Sequence, residues 1–94
     1  MQRRLSTLNY HAAYYRQDNG WYIAKVLDFP GALSQGKTLR SARRMIRDAL
    51  RLLAECSIEE ARPLPVPDPR AKDKRADFQE MLPLHVRIQM GVAR

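Results

Sequence analysis

The sequence predicts a single α+β domain: a three-stranded antiparallel meander, one amphipathic helix packed on it, and a C-terminal strand, in the order β-β-β-α-β. Two observations predict the meander and helix, namely aromatic and β-branched segments separated by turn signals, and a long stretch with helical periodicity. A third observation predicts the last strand: apolar residues alternate with polar ones near the end of the chain. We assign residues 1–94 to one domain, because a chain of this length supports one modest core.

The meander is predicted from three short segments. Residues 8–16 are rich in tyrosine and are followed by an Asn-Gly pair, which suits a tight hairpin turn. Residues 21–27 form the returning strand, and the segment 28–31 then breaks the ladder because proline has no N–H to donate. Residues 32–36 are long enough for one further short strand.

The helix is predicted to begin after Thr38, a favourable N-cap residue. At roughly 100° per residue, its apolar residues share one face that a sheet can cover. The residues of this face are Leu39, Ala42, Met45, Ile46, Ala49, Leu50, Leu52, Leu53 and Cys56. The opposite face carries charged residues, so Gly36 and Thr38 are expected to let the chain leave the sheet and turn back across it.

The C-terminal third is predicted to contain a connector, a link and a strand. Residues 62–69 have proline at every second position and form an extended connector. Residues 70–80 form a highly charged link, either a loop or a short helix. Residues 82–90 form a half-buried strand, in which apolar residues alternate with His85, Arg87 and Gln89. The apolar residues are Leu84, Val86, Ile88 and Met90.

The net charge of +7 requires an anionic partner to be considered. The helix carries a row of arginines that could contact the phosphates of DNA or RNA. These residues are Arg40, Arg43, Arg44, Arg47 and Arg51. Asp48 and Glu55 follow two of them by four residues, where ion pairs within the helix are possible. A solvated face is favoured over a nucleic-acid interface, which remains the alternative.

No catalytic or metal site is predicted. His11 and His85 each alternate with apolar residues in a strand, without a second metal ligand close by in sequence. Cys56, the single cysteine, lies on the apolar face and is expected to act as a small hydrophobe. No phosphate-binding glycine loop is present, so no cofactor is expected. The absence of an apolar membrane span or signal peptide, with one cysteine, favours a cytoplasmic protein without membrane contact.

These features together resemble the HicB-like antitoxin family. The resemblance covers about residues 8–67, from the aromatic pair Trp21-Tyr22 through the Pro30-Gly31 break to the Pro-x-Pro segment of the connector. It includes the helix start "GKT" (residues 36–38) and the inner-face alanines Ala42 and Ala49. The resemblance implies a partial RNase-H-like fold, without the C-terminal DNA-binding segment that many members of the family carry.

The resemblance also implies a function. Members of this type are protein-interaction modules that bind and neutralise a small mRNA-cleaving toxin, although some are orphans without one. We therefore expect a non-catalytic antitoxin or an orphan relative, which pairs with itself through open sheet edges as a homodimer or higher oligomer. Partner contact is expected around the break in the meander, at Asp28, Phe29, Pro30 and Gly31.

Overall fold

Five elements make up the fold in the computed structural model, which describes the backbone of residues 3–89 and the side chains of residues 6–86. They are β1 (Arg3–Arg16), β2 (Tyr22–Val26), β3 (Leu33–Gly36), α1 (Leu39–Glu59) and β4 (Phe78–Gln89). The four strands form one sheet in the order β3-β2-β1-β4, with every neighbouring pair antiparallel. The predicted α+β class, the meander, the helix and the C-terminal strand are confirmed.

The first strand is much longer than predicted and pairs unevenly on its two sides. Its pairing with β4 runs from Arg3 opposite Gln89 to Tyr14 opposite Phe78. Its pairing with β2 covers only residues 12–16. The first half of β1 therefore has β4 as its only neighbouring strand in the described part of the chain.

The core lies between one face of the sheet and α1. The strand residues that face α1 include two fully buried tyrosines, Tyr10 and Tyr14. The helix contributes a row of buried residues spaced four apart, which keeps them on one side of the helix. That row is Ala42, Ile46, Leu50 and Ala54. Leu82, Leu84 and Val86 of β4 complete the core at the far edge.

The predicted apolar face of the helix is wider than the face that the sheet covers. Met45 is 44% exposed and Leu52 is 62% exposed, so the prediction that they are core residues is wrong. Cys56 is only half-buried, whereas Ala54, which was not assigned to that face, is buried. The physical reason is geometric: the sheet contacts only a strip along one side of a helical cylinder, and both flanks remain outside it.

The helix α1 begins after Thr38, which is its N-cap residue as predicted. The side chain of Thr38 accepts a hydrogen bond from the backbone N–H of Ser41, at 3.0 Å, and the Ser41 hydroxyl lies 3.0 Å from the Thr38 backbone nitrogen. This reciprocal arrangement is a capping box. Gly36 is buried directly beneath this first turn. No helix in residues 3–89 is long and apolar enough to cross a bilayer.

The chain between α1 and β4 is ordered by contacts with the sheet. Residues 62–69 are neither helix nor strand, and Tyr10 donates a hydrogen bond from its hydroxyl to the carbonyl of Pro65, at 2.6 Å. The charged link is a loop that ends at residue 77, because β4 already begins at Phe78, four residues before the predicted start. The predicted side-chain alternation at Ile88 and Met90 lies outside the described side chains.

Candidate partner-binding site

The break in the meander is a tight loop closed by backbone hydrogen bonds. The N–H of Val26 donates to the carbonyl of Ala32, at 3.0 Å, and the N–H of Ala32 donates to the carbonyl of Phe29, at 3.2 Å. Gly31 has a φ of 92°, which a residue with a Cβ adopts only with strain. The loop is therefore held in one conformation by the residues at its base.

The four predicted partner-binding residues divide into two that face inward and two that face outward. Phe29 is 4% exposed and packs edge-to-face on Tyr10, with ring centroids 5.2 Å apart. Asp28 also points inward, and its side chain is 4% exposed. Pro30 and Gly31 form the exposed tip of the loop. Phe29 and Asp28 thus hold the tip in place, and only the tip is open to a partner.

Asp28 joins three separate segments of the chain. Its carboxylate accepts hydrogen bonds from the backbone N–H of His11, at 2.9 Å, and from the backbone N–H of Asp68, at 2.9 Å. The Nδ1 atom of His11 lies 2.8 Å from the same carboxylate. Burial alone would raise the pKa of Asp28, but these hydrogen bonds, led by the one with the His11 ring, lower the pKa below its usual value. The ionised form is therefore the one that ties the loop to β1 and to the connector.

A groove of about 640 Å³ lies beside the tip of the loop. Pro30 lines one end, and the 85% exposed side chain of Val66 lies on the connector side. The charged lining of this groove is mixed, because Lys25, Lys72 and Arg75 lie in it beside Asp28, Asp68 and Asp73. The arrangement is an open, largely polar groove and not an enclosed cavity, which suits contact with a protein surface better than capture of a small molecule.

The predicted arginine row is divided by its contacts. Arg43 donates a hydrogen bond from Nε to Glu80, at 3.0 Å, and its guanidinium lies over the ring of Phe78. Arg51 pairs with Asp48, three residues earlier, at 2.9 Å, so Asp48 is paired with Arg51 and not with Arg44 four residues before it. The remaining three, Arg40, Arg44 and Arg47, line a groove of about 290 Å³ on the first turns of α1.

Two tyrosine–carboxylate pairs complete the polar contacts around the sheet. The hydroxyl of Tyr14 donates a hydrogen bond to Glu80, at 2.7 Å. Burial raises the pKa of Tyr14 well above its usual range, and this hydrogen bond raises it further. On the other face, Tyr15 donates to Asp73, at 2.7 Å. Burial and that hydrogen bond raise the pKa of Tyr15 to about 12. The hydrogen bond from Tyr15 in turn lowers the pKa of Asp73 to about 2.

Sequence reasoning missed the contacts of His11, Glu80 and Asp73 because their partners are distant in sequence. His11 and Asp28 are 17 positions apart, and Tyr14 and Glu80 are 66 apart. One signal was available for the first pair: an Asp directly after a strand and a His in the neighbouring antiparallel strand can meet when the hairpin register aligns them. No group of three His, Cys, Asp or Glu residues suitable for a metal ion is found among the described residues.

The fold defines a class of small α+β domain, in which one helix crosses an antiparallel sheet as in a partial RNase-H-like fold. The N-terminal domain of the Burkholderia pseudomallei antitoxin HicB has the same fold, with a TM-score of 0.63 and 23% sequence identity. The similarity covers 88% of this chain and 100% of that domain, and it confirms the fold that the resemblance to HicB-like antitoxins implied. No family model and no curated protein matches the sequence.

Proposed function

We propose that the chain is a protein-interaction module of the HicB antitoxin type, which binds and neutralises a small mRNA-cleaving toxin or is an orphan relative of such antitoxins. The observation that carries this proposal is the shared fold, which extends over the whole of an antitoxin N-terminal domain. The cytoplasm is the proposed location, because the messenger RNA that such a toxin cleaves is found there.

The contacts of the acidic residues support a non-catalytic role. Asp28 accepts three hydrogen bonds that tie together β1, the loop and the connector. Glu80 is shared between Tyr14 and Arg43, and Asp73 is bonded to Tyr15. A carboxylate that acts as a general base or metal ligand needs free lone pairs directed at a substrate or ion. These three carboxylates instead hold the fold together.

The proposed partner surface at the break is the tip Pro30-Gly31, together with the open groove of mixed charge beside Val66. The tip is exposed, and Asp28 and Phe29 hold it from within, so it is presented in one conformation at little entropic cost on binding. We assign the supporting role to Asp28 and Phe29 and the contacting role to Pro30 and Gly31.

Co-expression tests the proposed function. The chain and the product of the reading frame adjacent to its gene are expressed together and separately in bacteria. We expect the neighbouring product alone to arrest growth, and the chain to restore growth and to purify in complex with it. A neighbour that is harmless alone, or a chain that neither restores growth nor co-purifies, contradicts neutralisation of a toxin encoded beside the chain and leaves only the orphan relative.

We also propose that copies of the chain associate through open strand edges. The first half of β1 has no neighbour on its β2 side among the described residues, and β4 and β3 are the two outer strands of the sheet. Unpaired edges invite pairing with another strand. Light scattering at micromolar concentration should give a mass at least twice 10.9 kDa, and a mass of 10.9 kDa contradicts self-association.

A second candidate function, binding to DNA or RNA, is favoured by the groove between Arg40, Arg44 and Arg47. None of the three takes part in a salt bridge in the described part of the chain. Successive members are separated by four and three residues, so they lie along one strip of the helix surface. Such a strip could follow a phosphate backbone, with affinity that falls steeply as salt increases.

Charge reversal separates the two candidates. If the strip binds nucleic acid, changing all three arginines to Glu should abolish retention of a duplex probe and remove the salt dependence of binding. The matched control places the same three changes at Arg70, Lys72 and Lys74 in the loop and alters net charge equally. Equal loss in both variants indicates a general charge effect, and no binding by the unchanged chain rules the second candidate out.

A further inference from the structure

A second apolar strip of α1 lies outside the core. It consists of Met45, Ala49, Leu52 and Cys56, and we call it the helix seam. Met45 is 44% exposed, Leu52 is 62% exposed, and the other two are half-buried. At 100° per residue, the seam is rotated roughly 110° from the buried row that faces the sheet. It therefore lies on one flank of the helix and not on its solvent-facing ridge.

The spacing of the seam suits another helix. Successive members are separated by four, three and four residues, which is the alternation of the d and a positions in a heptad repeat. The seam extends over about three helical turns and forms a short strip of apolar side chains, into which the side chains of a facing helix can insert. The matching occupant is thus the apolar face of an amphipathic helix, a recurring mode of protein recognition.

The charges beside the seam determine what kind of helix fits. Asp48 and Glu55 border it on the solvent side, Glu59 follows Cys56 at its C-terminal end, and all three are exposed. Asp48 is bonded to Arg51, but Glu55 and Glu59 take part in no salt bridge among the described residues. The unpaired arginine strip of α1 lies on the opposite flank. The seam therefore has a locally acidic border on a chain whose net charge is +7.

A second copy of this chain does not satisfy that border. Asp48 and Glu55 occupy the g positions of the heptads. In a parallel pair of identical helices, g positions face e positions, so Asp48 would face Leu53, which supplies no cation. In an antiparallel pair, g positions face one another. Asp48 of one copy would then lie beside Glu55 of the other, and like charges brought together at an interface oppose association. Self-association through strand edges leaves the seam unoccupied.

We propose that the helix seam docks an amphipathic helix of a different protein, whose apolar face is bordered by Lys or Arg. This inference rests on the proposed function and specifies where the toxin-type partner binds. A net positive charge on the chain would repel a basic partner. The acidic border removes this obstacle, because the partner's basic residues meet Glu55 and Glu59 locally even though the chain as a whole is basic. The tip Pro30-Gly31 would then be a separate contact.

The experiment measures binding of the purified product of the adjacent reading frame to the purified chain by calorimetry. Leu52→Glu should weaken binding roughly 30-fold or more, because it places a charge at the centre of the apolar contact. The matched control is Ile58→Glu, the same kind of change on the same helix at a residue that is 51% exposed on the opposite flank. The control should change affinity less than about threefold. Reversing Glu55 and Glu59 to Lys should mainly slow association.

Cys56 gives a measurement that needs no substitution, because it is the only cysteine and belongs to the seam. We expect the partner to slow maleimide labelling of Cys56 at least tenfold. A complex in which Leu52→Glu binds as tightly as the unchanged chain, or in which Cys56 labels at the free rate, overturns the inference but leaves the proposed function standing. Failure of the unchanged chain to bind the partner instead overturns both the inference and the toxin-neutralising form of the proposed function. If Leu52→Glu converts an oligomer of the free chain to monomers, a second copy occupies the seam and the inference is wrong.

Discussion

Replacing Gly36 with alanine should destabilise the fold much more than a substitution at an exposed position of the same strand, β3. A Cβ added at Gly36 would lie only 2.8 Å from the Cα of Ala42 and closer still to the Ala42 nitrogen and the Ser41 hydroxyl. Two of these three atoms belong to the backbone of the first turn of α1, so no side-chain rotation relieves the overlap. We expect a loss of about 3 kcal/mol or more in the free energy of unfolding, at the upper end of what overpacking costs.

Urea unfolding followed by circular dichroism measures this loss. Gln35→Ala is the matched control, because Gln35 is the exposed neighbour on the same strand and its change should cost less than about 0.5 kcal/mol. If Gly36→Ala left stability within 1 kcal/mol of the unchanged chain, α1 would not approach the end of β3 this closely, and the described packing would be wrong.

Replacing Asp28 with alanine is expected to have the second largest effect. The change removes the acceptor of two backbone N–H groups, on His11 and Asp68, and breaks the contact with the His11 ring. Hydrogen bonds to a buried charged group are worth more than neutral ones, and donors left without partners add a further cost. We expect a loss of about 2–4 kcal/mol. Asp18→Ala, which removes the same charge from an exposed turn residue, should cost less than about 0.5 kcal/mol.

The pH dependence gives an independent check on Asp28. Its pKa is lower in the folded chain than in the unfolded chain, so the ionised carboxylate stabilises the fold. This stabilisation is complete above the usual carboxyl pKa of about 4 and is lost as the pH falls through the lower folded value. The stability difference between the unchanged chain and Asp28→Ala should therefore shrink below about pH 4. A difference that stays constant down to pH 2 would show that the charge of Asp28 contributes nothing.

The elements that could be predicted from sequence are those with local signals. The Asn-Gly turn, the Pro-Gly break and Thr38 are interpretable because their effect on the backbone extends over only a few neighbours. The fold followed, since a helix with one apolar face needs a sheet to cover it. The start of β1 was missed because residues 3–7 lack aromatic residues, and their strand conformation depends on pairing with the distant β4.

The candidate site was predictable only in part, for a related reason. Local sequence identified Pro30 and Gly31 as a break, but it did not show that Asp28 turns inward to meet His11. Helical periodicity also grouped Leu52 with the core, because a hydrophobic pattern shows which residues avoid water but not how wide the covering sheet is. Leu52 and Met45 were assigned to the core, whereas the structure leaves them exposed on the flank now proposed as a docking surface.

The most direct test of the account is to measure messenger RNA cleavage by the purified neighbouring gene product as this chain is added. If the chain is an interaction module of the antitoxin type, cleavage should fall in proportion to the added chain and stop at a fixed stoichiometric ratio. The chain alone should leave the RNA intact. Cleavage that continues undiminished at a tenfold molar excess of folded chain, or RNA cut by the chain itself, would contradict the account.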